Sequence, residues 1–447
     1  MQVTGEFLEE LREALEKGND GFVAANINSL HGSDVAAIMH EITLDQRKYV
    51  FKLLPNELAA ETLLELDEDF REELLESLTN REIAAHIDEM DSDDAADMLG
   101  DLPDERKHEI ISEIKDKEQV EDIVHLLTYD ENTAGAIMAR ELIKVHLNQT
   151  VDRCVVELRQ QAHQVENVYT IYVVNDHDIL VGLLSLKSLL VATAKTPISQ
   201  LYNEKIRKVV HTETKENVAL IMQKYDLVVL PVVDENGVLL GRITIDDVVD
   251  VIKEEADKDY QMMSGLSENV ESHDTIWVVS RARLPWLIVA MAGGIIASRI
   301  IGVFDEVIKL HPEMTFFTPL IAAMGGNVGI QSSAIVVQGL ANNTIDYKRM
   351  FPRLAKEFAV ALLNGSVCAS LILVYGLLVN DSMALSFTVC LALFSVIVFA
   401  AIFGTMIPLV LHRNKIDPAI ATGPFITTTN DILGIVLYFS ISHWMYY

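Results

Sequence analysis

Apolar residues recur along this chain with three different periods, and each period predicts a different kind of element. Up to about residue 128 they return every three or four positions between acids. Four similar runs there, DVAAIMHEI, ELAAETLLEL, EIAAHIDEM and DDAADMLGDLP, follow one another at spacings of roughly 12 to 25 residues. A short helical unit buries its apolar face only against its neighbours, so residues 1–128 are expected to form an all-α, right-handed superhelical stack. From 129 to about 252 the pattern shortens to β-rich runs. There YTIYVVNDHDILVGLLSLKSLL aligns with LVVLPVVDENGVLLGRITIDDVV at an offset of 59, placing Val173 on Val232, Leu180 on Leu239 and Gly182 on Gly241. Each copy reads strand, polar turn, strand, helix, which makes 129–252 a tandem α+β repeat. Helical spacing resumes in DDVVDVIKEEADKDYQMMSG, and a long connecting helix is expected over 253–280.

From residue 281 the apolar runs reach membrane length, and five spans are expected at 284–304, 314–340, 358–379, 383–411 and 418–442. The chain therefore reads as a multidomain membrane protein with a five-helix transmembrane domain over 281–447. Arg281 and Arg283 precede the first span, Lys348, Arg349, Arg353 and Lys356 separate the second from the third, and His412, Arg413 and Lys415 separate the fourth from the fifth. The opposite side has Lys309 among Asp305, Glu306, Glu313 and Asp381. This bias puts the N-terminus inside a cell (inner) membrane and, after an odd number of spans, the C-terminus outside. The opening MQVTGEFLEELREALEKG reads as an amphipathic acidic helix and not as a secretion signal.

Charge divides the chain at the same point. Residues 1–280 carry 58 acids against 25 bases, whereas 281–447 carry 8 against 10, so the net −31 belongs to the first part. Such a surface repels nucleic acid and anionic headgroups and attracts cations. Cys154, Cys368 and Cys390 lie far apart in the sequence, which suggests neither a disulfide framework nor a zinc site. Phosphate-loop, HExxH and GxSxG motifs are absent, and no enzymatic chemistry is expected.

Against that background one residue stands out. Asp431 sits in the middle of the fifth apolar run, where an ionised carboxylate costs about 3 kcal/mol on insertion scales. No other span offers a mid-depth base to pair with it, so an ion pathway is the favoured reading. The second span adds MGGNVGIQSS, whose glycines allow close backbone approach, and Asn327, Gln331 and Asn430 are candidate pore-lining amides. Oxygen ligands without clustered thiolates or imidazoles suit a hard ion, and one acid with neutral oxygens suits a Mg²⁺ that keeps several waters. Two acidic runs extend the theme: Asp91, Asp93, Asp94, Asp97 and Asp101 in the first, and Asp246, Asp247, Asp250, Glu254, Glu255, Asp257 and Asp259 in the second. Few bases interleave, so neighbouring carboxylates repel until a cation neutralises them.

The tandem repeat resembles a pair of cystathionine-β-synthase (CBS) domains, which implies a regulatory role. Thr244 and Asp247 then form a candidate nucleotide-binding pair for ATP; the matching Ser185 and Ser188 of the first copy lack the acid. Taken in order, the acidic helical domain, the CBS pair, the connecting helix and five spans bearing GGNVGIQS and PFITTTND resemble the MgtE family of magnesium channels over essentially the full chain. The resemblance implies a homodimer conducting Mg²⁺ into the cytoplasm, with Mg²⁺ also the regulatory ligand. It assigns Asp431 to the pore and Asp417 to its cytoplasmic mouth, and sensor positions to Asp91, Asp226, Asp247, Asp250, Glu255 and Asp259. Lys258 departs from the family pattern, which can carry an acid there. Two other classes remain open to the residues alone: a proton- or ion-coupled secondary transporter, which inverted repeats would favour, and a membrane-anchored nucleotide sensor, which would leave Asp431 without a task.

Overall fold

Short helices with strong caps build the acidic first domain. The computed structural model describes residues 5–100, 102–162, 165, 167–268, 270, 274–341, 350–379, 382–421 and 423–446; Asp101, Lys348, Arg349 and Asp381 lie outside them. Among the described residues the first domain consists of helices α1 Gly5–Glu16, α2 Asp20–Ile27, α3 Gly32–His40, α4 Leu44–Phe51, α5 Asn56–Glu65, α6 Glu68–Ser77, α7 Asn80–Ile87, α8 Ser92–Gly100, α9 Asp104–Glu113 and α10 Lys117–Leu126. Thr43 with Gln46 and Thr79 with Glu82 form capping boxes that start α4 and α7. The recurring alanine pairs lie at helix contacts, α3 on α5 and α5 on α7, where Ala36, Ala59, Ala60 and Ala84 are buried. Side chains from elsewhere in the stack satisfy helix ends: Arg47 Nε donates to Met39 O at 2.7 Å, and Gln119 Nε2 to Ile87 O at 2.8 Å.

The two β-rich copies fold with one register. β1 (Lys144–His146) runs parallel to β2 (Ile171–Val174), which pairs antiparallel with β3 (Leu180–Leu184). β4 (Val209–Val210), β5 (Val229–Val233) and β6 (Leu239–Thr244) repeat that order. Val173 faces Gly182 and Val232 faces Gly241, and both copies carry a register shift at the next residue. Helices α11 (Val151–Gln161), α12 (Leu186–Val191) and α13 (Lys215–Tyr225) complete the pair. The copies exchange leading segments: Ala139, ahead of the first sheet, bridges Arg242 of the second, and Asn203, ahead of the second, bridges Leu183 of the first. The two glycines make room for this crossing. A Cβ on Gly241 would lie 2.6 Å from Ala139 O, and one on Gly182 2.5 Å from Asn203 O.

The chain divides into two compact units, Met1–Lys253 and Glu254–Tyr447. Helix α14 (Ile245–Met263) carries residues of both. The connecting helix expected as far as 280 ends at Met263, because Gly265 adopts φ +86°, and the next helix begins at Ile276. The membrane helices are α15 (Ile276–Val303), α17 (Thr318–Ala341), α18 (Met350–Val379), α19 (Met383–Arg413) and α20 (Pro424–Tyr446), with short α16 (Asp305–Leu310) between the first two. Among the described residues, five helices long and apolar enough to cross a membrane match the five expected spans, with all starts but that at Met383 shifted. Arg281 and Arg283 lie inside α15, and Arg353 and Lys356 inside α18, where hydropathy alone had put loops. The fifth helix starts at Pro424, since 418–421 form a separate 3₁₀ turn. Within this unit α19 packs on α17, α18 and α20. Close approach again rests on glycine: a Cβ on Gly404 would lie 2.5 Å from Gly329 O.

Gly241→Ala should lower stability by about 2 kcal/mol, the cost of forcing a methyl into a packed backbone contact. Thermal unfolding of the purified protein checks it. An unchanged transition would show that the exchanged segment yields freely.

Candidate cation sites

Asp431 lines a cavity of about 520 Å³ in the membrane unit. Near the acid its walls include small residues, Gly293 and Gly294 from α15, Ala322 from α17, and Thr427 and Thr428 from the turn of α20 just before it, while Met263, Ile330 and Ile435 add larger apolar side chains. No other charged residue lines it among the described residues. The glycine-rich motif of α17 comes close, since a Cβ on Gly326 would lie 3.2 Å from Asp431 Oδ1. A Cβ on Gly293 would strike Thr428 Cγ2 at 1.9 Å, so this α15 glycine sets how near the two helices stand.

The three expected pore amides do not share this cavity. Asn430 is buried between α20 and α17, against Gly329, and neither amide atom has a hydrogen-bond partner. Asn327 and Gln331 are exposed on another face of α17, in line with exposed Gln338. Thr427 and Thr428 escaped the sequence reading although their i−4 and i−3 spacing from Asp431 puts them on its face. Glu357 also escaped it, because it immediately precedes the apolar run of α18; it accepts from Ser332 Oγ at 2.6 Å.

In the first unit, the opening turns of α8 and α14 bring acids together. One oxygen each from Asp91, Asp93 and Glu141 lies within 4.8 Å of the others. Ser92 holds Glu141 through its amide at 3.2 Å and its hydroxyl at 2.9 Å. Asp91 accepts from Arg242 Nη2 at 3.4 Å. Burial, then Asp94, Asp247, Asp91 and Glu141, push the Asp93 carboxyl well above the usual carboxylate range, and its Oδ1 is buried without a partner. Burial and then Asp247 raise Asp94 to about 7. Burial raises Asp247 to about 6 against the opposing hydrogen bonds from Thr244. The dipoles of two helix N-termini favour some negative charge here, but these raised values mark more than they compensate. Glu141 was missed because it belongs to the chain leading into the first β-sheet, 49 residues after Ser92.

The remaining sensor candidates separate. Asp250 is exposed; partial desolvation and then Glu65 and Asp246 raise its carboxyl, and Lys253 opposes them. Asp226 is an exposed C-cap of α13 with φ 52° and joins none of these groups. In the second unit, Glu255 pairs with Lys258 at 3.1 Å, while burial and then Asp417 and Glu255 raise Asp259. Asp417 accepts from the Ala419 amide at 2.8 Å and so caps the 3₁₀ turn before α20. Thr244 and Asp247 are each other's partners: amide and hydroxyl of Thr244 both donate to Asp247 Oδ2, which caps α14, as Ser185 and Ser188 cap α12.

Comparison with known proteins adds relatives to this geometry. The family model of the divalent cation transporter MgtE matches residues 318–441, that of the MgtE intracellular N domain 30–132, and that of the CBS domain 134–195 and 198–254. The magnesium transporter MgtE of Bacillus subtilis is 31% identical over 416 residues, 93% of this chain and 92% of its own. That of Thermus thermophilus is 31% identical over 436 residues, 97% of both chains. The crystal structure of the cytosolic domain of the Mg²⁺ channel MgtE in complex with ATP aligns with TM-score 0.52 and 33% identity, covering 55% of this chain and 99% of that one.

The raised carboxyls fix a pH dependence. Asp94 and Asp247 keep protons up to about 7 and about 6, where unfolded carboxylates near 3.8 have released theirs. The native state thus binds more protons across that window, and stability falls as pH rises through it. In chelator, the full-length protein in detergent should unfold at a higher temperature at about pH 5 than at about pH 8. Asp94→Asn should flatten the difference. A profile rising with pH would contradict the burial of these acids.

Proposed function

The chain belongs to the MgtE family, and on that footing we propose that it is a homodimeric channel carrying Mg²⁺ down its electrochemical gradient into the cytoplasm. Internal Mg²⁺ closes it through the acidic first unit and α14. The single observation that carries the transport reading is Asp431, the only charged residue among the described residues lining a 520 Å³ cavity between the membrane helices. A carboxylate at that depth attracts a cation, and the Thr427 and Thr428 hydroxyls supply neutral oxygens fit for the waters that Mg²⁺ retains. The relatives carry the choice of ion, since two of them are named magnesium transporters.

The dimer has its own support. Asn327, Gln331 and Gln338 form an exposed polar stripe on α17. Amides facing lipid have no partners and cost several kcal/mol in all, roughly, so a second copy or water covers that face. The basic ends of α15, α18 and α19 orient the acidic unit toward the cytoplasm and the C-terminus outward.

For regulation, the residues that would hold an ion are Asp91, Asp93 and Glu141, with Asp94 and Asp247 beside them. Their fit rests on the orphaned Asp93 Oδ1 and an all-oxygen donor set. A bound divalent ion would supply the counter-charge these carboxylates lack. Without it, the first turns of α8 and α14 repel each other, and their docking weakens. Asp250 with Glu65 and Asp246, and Asp259 with Glu255 and Asp417, extend the same chemistry along α14. The ATP complex of the related cytosolic domain supports an adenine nucleotide as a ligand of the CBS pair, with Thr244 and Asp247 as its candidate contacts.

Two measurements test these assignments. In proteoliposomes of purified protein, Asp431→Asn keeps the shape and removes the charge; Mg²⁺ flux should fall to that of protein-free vesicles. Parent-like flux would refute the pore assignment. Asp91→Asn/Asp247→Asn keeps the α14 cap and should stay open at internal Mg²⁺ that closes the parent. Closure at an unchanged Mg²⁺ concentration would place the sensor elsewhere.

A further inference from the structure

We infer that Arg242 is a tethered counter-cation that competes with divalent ions for Asp91 and so sets the Mg²⁺ concentration at which the sensor fills; this rests on the sensing role proposed above. Arg242 lies on β6 and is 5% exposed, and its Nη2 reaches Asp91 Oδ2 at 3.4 Å. Its Nη1 donates to Asn167 O at 3.3 Å, its guanidinium stands 5.7 Å from the Tyr169 ring centroid, and its Nε has no partner. The other arginine nearby, Arg140, pairs with Asp122 at 3.1 Å instead. A guanidinium cannot shed its proton, so the charge beside Asp91 is permanent.

The fold itself does not require this arginine. Arg242 faces Pro231 across the β5–β6 pair, as Leu183 faces Tyr172 across β2–β3, and the offset of 59 makes Leu183 its counterpart in the first repeat. Both positions also bridge an exchanged segment, Arg242 to Ala139 and Leu183 to Asn203. One architecture carries leucine at this position in the first copy and, beside Asp91, a cation in the second. The bond is also suited to exchange. A single long contact is weaker than the two-pronged pairing that arginine makes with carboxylates when geometry allows. The guanidinium therefore lowers the repulsion within the cluster in the ion-free state, and an arriving divalent ion must compete with it for Asp91. The sensor then responds only at higher Mg²⁺.

The test uses the full-length protein in detergent and the Mg²⁺ concentration giving half-maximal protection from protease. Arg242→Leu removes the competitor and adopts the residue of the sister repeat. Its midpoint should fall roughly tenfold, the effect of removing one charge beside a divalent site at short range, whereas Arg242→Lys should stay within about twofold. In an Asp91→Asn background, Arg242→Leu should shift the midpoint by less than about twofold, since the arginine acts through that carboxylate. A general loss of packing would not vanish in that background. Should Arg242→Leu fail to fold, Arg242→Gln, which can still donate to Asn167 O, carries the same expectation. A parent with no Mg²⁺ midpoint overturns the sensing reading and this inference with it. A parent that responds, with a neutral variant whose midpoint is unchanged or raised, overturns the inference alone.

Discussion

Carboxylates held close together without enough counter-charge are the constraint to which the soluble part of this structure answers. Asp93 and Asp94 occupy the first turn of α8 and Asp247 that of α14; burial drives all three upward, and repulsion from neighbouring acids adds to it, from Asp247 on Asp93 and Asp94 and from Asp246 on Asp247. Helix dipoles and one arginine offset only part of that. A fold that keeps such a cluster at neutral pH either binds protons or cations there, and its compactness becomes a function of what it binds. The arrangement is a poor way to stabilise a domain, since apolar residues at the same places would avoid the repulsion. It is an effective way to make docking conditional.

At the cavity of the membrane unit the same physics acts on a single acid, Asp431. A carboxylate at mid-span is tolerable only where water or an ion reaches it, and the cavity beside Asp431 supplies that space. Glycine does two jobs there. Gly293 and Gly326 let α15 and α17 approach α20 near the acid, while Gly404 against Gly329 locks α19 to α17. Part of the room around Asp431 thus comes from glycines, and the charge comes from a residue that should not be in lipid.

Much of this was legible in the sequence because it rested on periodicity. The helical stack, the two β copies down to Val173 opposite Gly182 and Val232 opposite Gly241, and the number of spans all follow from spacing. Element ends were less legible. Hydropathy starts a span where charge stops, yet α15 and α18 begin earlier and carry arginines within their first two or three turns, since a helix can emerge from a membrane without ending. The site was readable only as far as chain neighbours go. Asp431 announced itself by its surroundings, and Asp91 and Asp247 by their acidic runs, but Glu141 joins the cluster across 49 residues and Arg242 across 151. Such contacts leave no local pattern. Asn327 and Gln331 were grouped with Asp431 by composition, whereas helix phase turns them to another face.

Several weak clusters serve a switch better than one strong one. Moving a two-state gate from mostly open to mostly shut takes a differential affinity of about 10⁴ between the states. A single ion would have to supply all of it, and a site that tight releases its ion too slowly and fills at too low a concentration to report a millimolar change. If the proposed gate drew on the acids at Asp91 with Glu141, at Asp250 with Glu65 and at Asp259 with Asp417, each group would need to supply only about twentyfold. The response then steepens with the number of ions, while each site stays weak. Tethered cations fit this division of labour. Under the sensing role proposed above, Arg242 beside Asp91 and Lys258 beside Glu255 would keep their clusters from binding too tightly, so that a sensor built almost entirely of acids would still empty when Mg²⁺ falls.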